Sequence, residues 1–416
     1  MESGSAQFDS PNGSTLNITT SDQAIINWQS FNIGQSETVN FLQPSALSAV
    51  LNRVIGGGGA SQIAGALNSN GTIVLVNPAG IAIAQTANIN VGSLETSMSG
   101  ARAASFIASS LNISSSDFKA GNYIFQKDSM LSSAVINQGM ISVKGGGLVM
   151  LFGGSVENSG TINAQMGKVV LASGDKITVN FTQSGLISVA VDEKVVGGVV
   201  SVNGQAVKDG VKNIGTIAAD GGQVILTADA VSGIFDKAVN NEGIIKANTV
   251  IEHNGIIELV SKTGTVSNKG VIEAKGTAAA PKGGTVKMAG RKTVHEGVIN
   301  VAAENGGKAG KATVVSGTGG TVLAPRSAIL ANGKTIMSSG GEVLVNSDGD
   351  TYFAPGAQID ISGGTVSGDG GFAEVSGKGT VGYYGTVNGT AALGQKAGAV
   401  LIDPYDYTID AAAAAA

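Results

Sequence analysis

The chain contains no cysteine. That excludes disulfides, thiolate catalysis and Cys-ligated zinc or iron–sulfur centres. It also suits export, because a chain without thiols cannot be trapped by premature disulfides. Aromatic residues make up 4% and charged residues 13% of the 416 positions, which leaves little on which a sugar could stack. No apolar run reaches the about 18 residues that a membrane helix needs, so no membrane insertion is expected. The net charge is −5 and no Lys/Arg cluster offers an electrostatic footprint, so nucleic acid is not an expected partner. Met1-Glu-Ser-Gly-Ser5 lacks the basic start and apolar stretch of a signal peptide.

What is abundant is glycine, with 63 residues, beside 42% hydrophobic residues in regular alternation. Glycine in that company indicates a packed core rather than disorder. From Asn137 onwards one phrase recurs: Asn137-Gln-Gly-Met-Ile141, Asn158-Ser-Gly-Thr-Ile162, Asn213-Ile-Gly-Thr-Ile217, Asn241-Glu-Gly-Ile-Ile245 and Asn268-Lys-Gly-Val-Ile272. A Gly-led strand follows it, as in Gly145-Gly-Gly-Leu-Val-Met-Leu151, Gly221-Gly-Gln-Val-Ile-Leu226 and Gly340-Gly-Glu-Val-Leu-Val345. A repeat this short cannot enclose a core alone and must stack on its neighbours. Asn213, Asn241, Asn268 and His295 follow one another at about 27 residues, enough for three short strands and three turns. The spacing predicts a parallel β-helix rising about 4.8 Å per coil. Asn and Gly are expected to supply the left-handed backbone of its corners.

A solenoid end needs a cap, and residues 1–35 are read as one, with Asn12-Gly13 as a turn, Ala24–Trp28 as a strand and Trp28 covering the first coil. Residues 36–130 form the next segment and 131–410 the continuing coils. Within 40–70 the pattern admits either a short helix after Pro44 or strands. Residues 180–212, with Val195–Val202 before Asn203-Gly204, are expected to form a hairpin outside the coils. The six alanines 411–416 read as a tag, scar or placeholder.

Residues 23–92 closely resemble the secretion domain of two-partner-secretion exoproteins, the filamentous-haemagglutinin and high-molecular-weight-adhesin family. The likeness is carried by Ala24-Ile-Ile-Asn-Trp-Gln-Ser-Phe-Asn-Ile33, Phe41-Leu-Gln-Pro-Ser45, Leu51-Asn-Arg-Val54, Ser61-Gln-Ile63 and Leu67 to Ile81. The family's Asn-Pro-Asn-Gly-Ile box is met as Asn77-Pro78-Ala79-Gly80-Ile81, with Ala79 replacing the middle Asn. A looser likeness runs through Ala134–Ile141 and returns at Leu401-Ile-Asp-Pro-Tyr-Asp-Tyr-Thr-Ile-Asp410.

The resemblance implies a right-handed parallel β-helix, all-β, at the N-terminus of a much larger exoprotein. It implies recognition in the periplasm by POTRA domains of an outer-membrane β-barrel transporter, and folding at the cell surface, here of an adhesin. Transferred position by position, the candidate recognition residues are Asn52, Arg53, Asn77, Pro78, Gly80 and Ile81. Asn77 and Gly80 serve a turn equally well, and Arg53 reads as solvated or locally paired. The segment is expected to be monomeric, a mature fragment behind an added Met, with no cofactor. A host receptor or glycan would be met through downstream regions.

Other chemistry finds little support. His253 and His295 read as corresponding turn residues, and no third ligand stands at metal spacing. Neither belongs to a Ser–His–Asp arrangement, so no enzyme is expected. Asp348-Gly-Asp350 offers too few oxygens for calcium, and Asp403 and Asp406 are the other dense carboxylates. Three alternatives remain: a haemolysin or contact-inhibition toxin, a haem-acquisition protein using the 180–212 excursion, or a carbohydrate-active β-helix.

Overall fold

The computed structural model describes residues 1–92, 104–128, 132–144, 146–181, 186–250, 253–333 and 335–404. The alanine run, the closing stretch from Tyr405 with Asp406, Gly145 and residues 182–185 of the expected hairpin lie outside the described residues. Two compact units are present, Met1–Gly264 and Thr265–Ala416.

Each unit is a parallel β-helix whose coils contribute one strand in turn to each of three ladders. In the N-terminal unit the first ladder stacks Ala24–Trp28, Ala49–Val54, Thr72–Val76, Phe106–Ser109, Leu148–Gly153, Lys168–Ser173, Gln223–Ala228 and Ile256–Val260. The second includes Asn88–Val91, Met140–Val143, Thr161–Asn163, Thr216–Ala218 and Ile244–Lys246. The third includes Ser61–Ile63, Ile81–Ile83, Ser132–Asn137, Ser155–Asn158, Asp209–Asn213 and Lys237–Asn241. Registers are strict, so like side chains form columns: Ile141, Ile162, Ile217 and Ile245 in one, Val135, Val156, Val211 and Val239 in another. All eight are fully buried, and burying each stabilises by about 1.5–3 kcal/mol.

The repeated Asn does not occupy a left-handed corner. Positive φ among non-glycines occurs at Gln23, Met166 and Arg326, and the repeat Asn residues end their strands in ordinary backbone. Their amides instead stack inside the unit: Asn137 Nδ2 donates to Asn158 Oδ1 at 2.7 Å, Asn158 to Asn213 at 2.8 Å, and Asn213 to Asn241 at 2.8 Å. Every donor points the same way along the stack. The Gly two residues later is required by crowding. A Cβ on Gly160, Gly215 or Gly243 would meet the carbonyl oxygen of the preceding coil's glycine at 2.1 to 2.2 Å.

The cap is Ala6–Asp9, antiparallel to Thr15–Thr20, around a turn in which Asn12 Oδ1 accepts from the amides of Ser14 and Thr15. Trp28 meets Phe8 and Phe31 edge-on, at 5.9 and 5.3 Å. Residues 40–70 are strands, with no helix after Pro44.

The excursions differ in part from expectation. The hairpin starts at Lys176 rather than 180, pairing Lys176–Phe181 with Ile187–Glu193. Asn203-Gly204 closes a separate short hairpin as expected, Gly204 amide to Ser201 oxygen at 2.9 Å, with Val200 bridged antiparallel to Ala206. A second excursion, not anticipated from the sequence, leaves the same corner of an earlier coil. It carries the helix Ser115–Ala120, capped by Ser114 and closed by Gly121 at φ 72°. Its strands Asn112–Ile113 and Tyr123–Gln126 complete one four-stranded antiparallel sheet with the hairpin. That sheet packs Phe125, Ile177, Val179 and Ile187 against Val74, Ile107, Met150, Phe152 and Val170 of the first ladder.

The C-terminal unit repeats the coil through the ladders beginning Thr285–Gly290, Val271–Glu273 and Thr265–Asn268. Its third-ladder column reads Asn268, His295, Leu323, Phe353 and Tyr383.

Candidate functional site

Asn77–Gly80 is the corner between Thr72–Val76 and Ile81–Ile83. The β-branched, aliphatic strand ends because Pro78 has no amide proton to donate. Asn77, 2% exposed, then uses every polar group locally. Its Nδ2 donates to Gly59 O and Ser61 Oγ, both at 3.0 Å, and its Oδ1 accepts from Ala79 N at 2.9 Å. Its backbone N donates to Ser109 O at 3.0 Å and its O accepts from Gly80 N at 2.9 Å. Gly80 sits at φ 106°, and an added Cβ would lie 2.9 Å from Ala134 O, so glycine is needed on both counts. Ile81 is fully buried, Pro78 half-buried, and Ala79 is the exposed member of the box.

Asn52 and Arg53 lie side by side on Ala49–Val54 but face different surroundings. Asn52 is fully buried, and its Oδ1 accepts from Trp28 Nε1 at 3.0 Å. Arg53 is paired within the fold rather than solvated. Its side chain is 12% exposed and ion-paired to Glu2 at 2.8 Å. Its Nε donates to Asn112 Oδ1 at 3.0 Å and its Nη2 to Ile113 O at 2.8 Å. Glu2 also accepts from Ser115 Oγ and, at 3.0 Å, from Asn27 Nδ2. Those bonds, Ser115 first and Arg53 among the rest, hold its carboxyl below the usual range against the opposing effect of burial. Arg53 therefore ties the cap, the second coil and the helix-bearing excursion together. Sequence reading missed Glu2, Asn112 and Ser115, and no local signal marks partners 51 to 62 residues away.

The two histidines do not correspond. His295 is in register with Asn268, fully buried, taking Asn268 Nδ2 on its Nδ1 at 3.2 Å and contacting Ala328 O through Nε2 at 3.1 Å. Burial pushes it down to about 4, against the raising effects of Ala328 and Glu296. His253 is exposed, in an isolated bridge with Val250 before a first-ladder strand. Asp348 pairs with Lys378 at 2.7 Å, and Asp350 Oδ1 accepts from Thr380 N at 2.8 Å, so both carboxylates are engaged at a turn. Among the described residues no three His, Asp or Glu converge as a metal site.

Comparison with known proteins bears on this arrangement. The TPS secretion domain family matches residues 4–274. The crystal structure of the HMW1 secretion domain from Haemophilus influenzae is similar at 30% identity and a TM-score of 0.74, covering 96% of this chain and 98% of that one. A Heme/hemopexin-binding protein of H. influenzae strain Rd is 34% identical over 270 residues, 58% of this chain and 28% of the relative. A second H. influenzae protein of that name is 34% identical over 260 residues, 58% of this chain and 25% of the relative. The match thus spans about a quarter of those relatives' length.

Proposed function

Since the chain belongs to the TPS secretion domain family, the secretion modules of two-partner-secreted exoproteins, we propose that it directs the export of a longer exoprotein. Still unfolded, it is recognised by periplasmic POTRA domains of a cognate outer-membrane β-barrel transporter. Its coils then nucleate β-helix folding at the cell surface. The observation that supports recognition before folding is the Asn77 corner, where every polar group of that side chain is consumed by the closed coil. A partner that reads this side chain must read it earlier. Stacking outside the membrane then opposes back-sliding, because each coil buries aliphatic columns on the one before.

The test is secretion of the chain behind a signal peptide, with and without a co-expressed two-POTRA outer-membrane barrel of its own organism. Barrel-dependent appearance in the medium is expected. Equal release without the barrel overturns the reading. Binding of urea-unfolded wild type and Asn77→Ala to the POTRA domains separates roles: weaker binding by the variant assigns Asn77 to recognition, equal binding to folding.

The exoprotein acts in this reading as an adhesin, with no enzymatic step, in keeping with the likeness to the HMW1 domain. The relatives named for haem and hemopexin binding support haem acquisition as a second reading. Within this segment His253 is the exposed imidazole and His295 is sequestered. Haem titration of the full-length protein, followed at the Soret band, decides between them.

A further inference from the structure

On the third ladder of the N-terminal unit, Asp209–Asn213 and Lys237–Asn241 pair in parallel, with Asp209 beside Lys237. A lysine, an asparagine and two carboxylates converge there. Lys237 Nζ lies 3.1 Å from Asn240 Oδ1. A C=O bond is about 1.2 Å, so the amide carbon is within about 4.3 Å of the amine. Asn240 Nδ2 donates to Asp209 Oδ2 at 2.9 Å and to Glu242 Oε1 at 3.0 Å. Glu242 Oε1 is also 4.0 Å from Lys237 Nζ. Asn240 is 2% exposed, so water is largely kept from its amide. Burial raises the Asp209 carboxyl, against its bond from Asn240 and the charges of Lys237 and Lys212.

This is the set of parts an amide exchange needs: a nucleophilic amine, a carboxamide held beside it, a proton acceptor next to the amine and a proton donor on the leaving nitrogen. We propose that Lys237 and Asn240 join in an autocatalytic isopeptide bond once this coil has stacked. Glu242 accepts a proton from the Lys237 ammonium. The freed Nζ lone pair then forms a C–N bond to Asn240 Cγ. The Cγ–Nδ2 bond breaks, and Asp209 delivers a proton to Nδ2, which departs as ammonia. Ammonia then takes the proton held by Glu242, and the Asp209 carboxylate recovers a proton from Nζ, which sheds its second proton to become the amide N–H. The sum is an ammonium side chain and a carboxamide giving a secondary amide and an ammonium ion. No oxidant, metal or cofactor enters.

Asp209 comes from the preceding coil, so the bond forms only after stacking and is absent from the extended chain that a transporter would handle. It is a covalent record that this coil has folded, and it removes a positive charge and a tryptic site at Lys237.

Intact-mass measurement of the folded, purified chain reads it directly. The expected mass is about 17 Da, one ammonia, below that of the sequence. The tryptic map should then show a peptide uncut after Lys237 that contains Asn240. Lys237→Arg should regain the full mass, as should wild type held in urea from synthesis onward. Wild type at full mass, cleaved after Lys237, overturns the proposal. So does a deficit that persists in Lys237→Arg, which would place the loss at another asparagine. Asp209→Asn should form the bond at least tenfold more slowly, and an unchanged rate overturns the role given to Asp209.

Discussion

In the N-terminal unit the first ladder is buried on both faces from Thr72–Val76 to Gln223–Ala228, and Thr72–Val76 and Lys168–Ser173 carry unbroken aliphatic runs. In the C-terminal unit the same ladder alternates, as in Thr285–Gly290 and Glu342–Ser347, where inward Val and Met are interleaved with Lys, Glu and Thr. The antiparallel sheet covers one and solvent meets the other. The interior column differs too. Asn137, Asn158, Asn213 and Asn241 form an amide stack in the first unit. The second passes from Asn268 through a single histidine to Leu323 and Phe353. One coil geometry thus tolerates a polar or an apolar interior column, provided each buried amide finds its neighbour.

The largest expected effect sharpens the first contrast. Val170→Lys buries an ammonium beneath the antiparallel sheet and should destabilise the N-terminal unit by about 4 kcal/mol or more. Hydrogen-exchange protection of Leu148–Ser173 reads it, and wild-type protection would show that the sheet does not cover this face. Next, Asn213→Ala strands the Asn158 donor and the Asn241 acceptor, at about 3 to 4 kcal/mol by urea denaturation. Leu323→Ala should lose a comparable amount through a cavity instead, and only Asn213→Leu, which refills the volume, should still be as damaging as Asn213→Ala.

Acid should separate the units. His295 has a folded value of about 4 against 6.5 in the unfolded chain, so the unfolded state binds the proton more readily. Its contribution is complete above about pH 6.5, falls as the pH drops below that, and is gone below about 4, a loss of about 3 kcal/mol. Exchange followed from pH 7 to 4 should show strands Lys292–His295 and Thr321–Leu323 opening first, and His295→Asn should abolish that pH dependence. The smallest effect is Lys287→Val on the open face of the C-terminal unit, expected within about 0.5 kcal/mol by urea denaturation.

The parallel coil was legible because stacking imposes the Asn-x-Gly period and the aliphatic strands directly on the sequence. The reason for that Asn was not. Its neighbours suggest a turn, and only the register, which sets Asn158 on Asn213 across 55 residues, shows the side chain bonded in the interior. His295 was misread for the same reason, since sharing a motif with His253 says nothing about which ladder each enters. The double-sided aliphatic runs held an unread signal of a covered face, and they hold none of the cover: Asn112 to Gln126 and Lys176 to Glu193 pair at distances no periodicity encodes. At the Asn77 box the turn could be read, whereas the exhaustion of its side chain by Gly59, Ser61 and Ala79 could not.

The common direction of the amide stack gives a stack cut between two coils chemically unlike ends, an amide donor facing outward on one and an amide oxygen on the other. Two half-formed copies meeting end to end can satisfy these groups only in sequence, tail to head, because the opposite orientation sets like against like. Misassembly of this protein should therefore grow as open-ended threads rather than close into symmetric pairs.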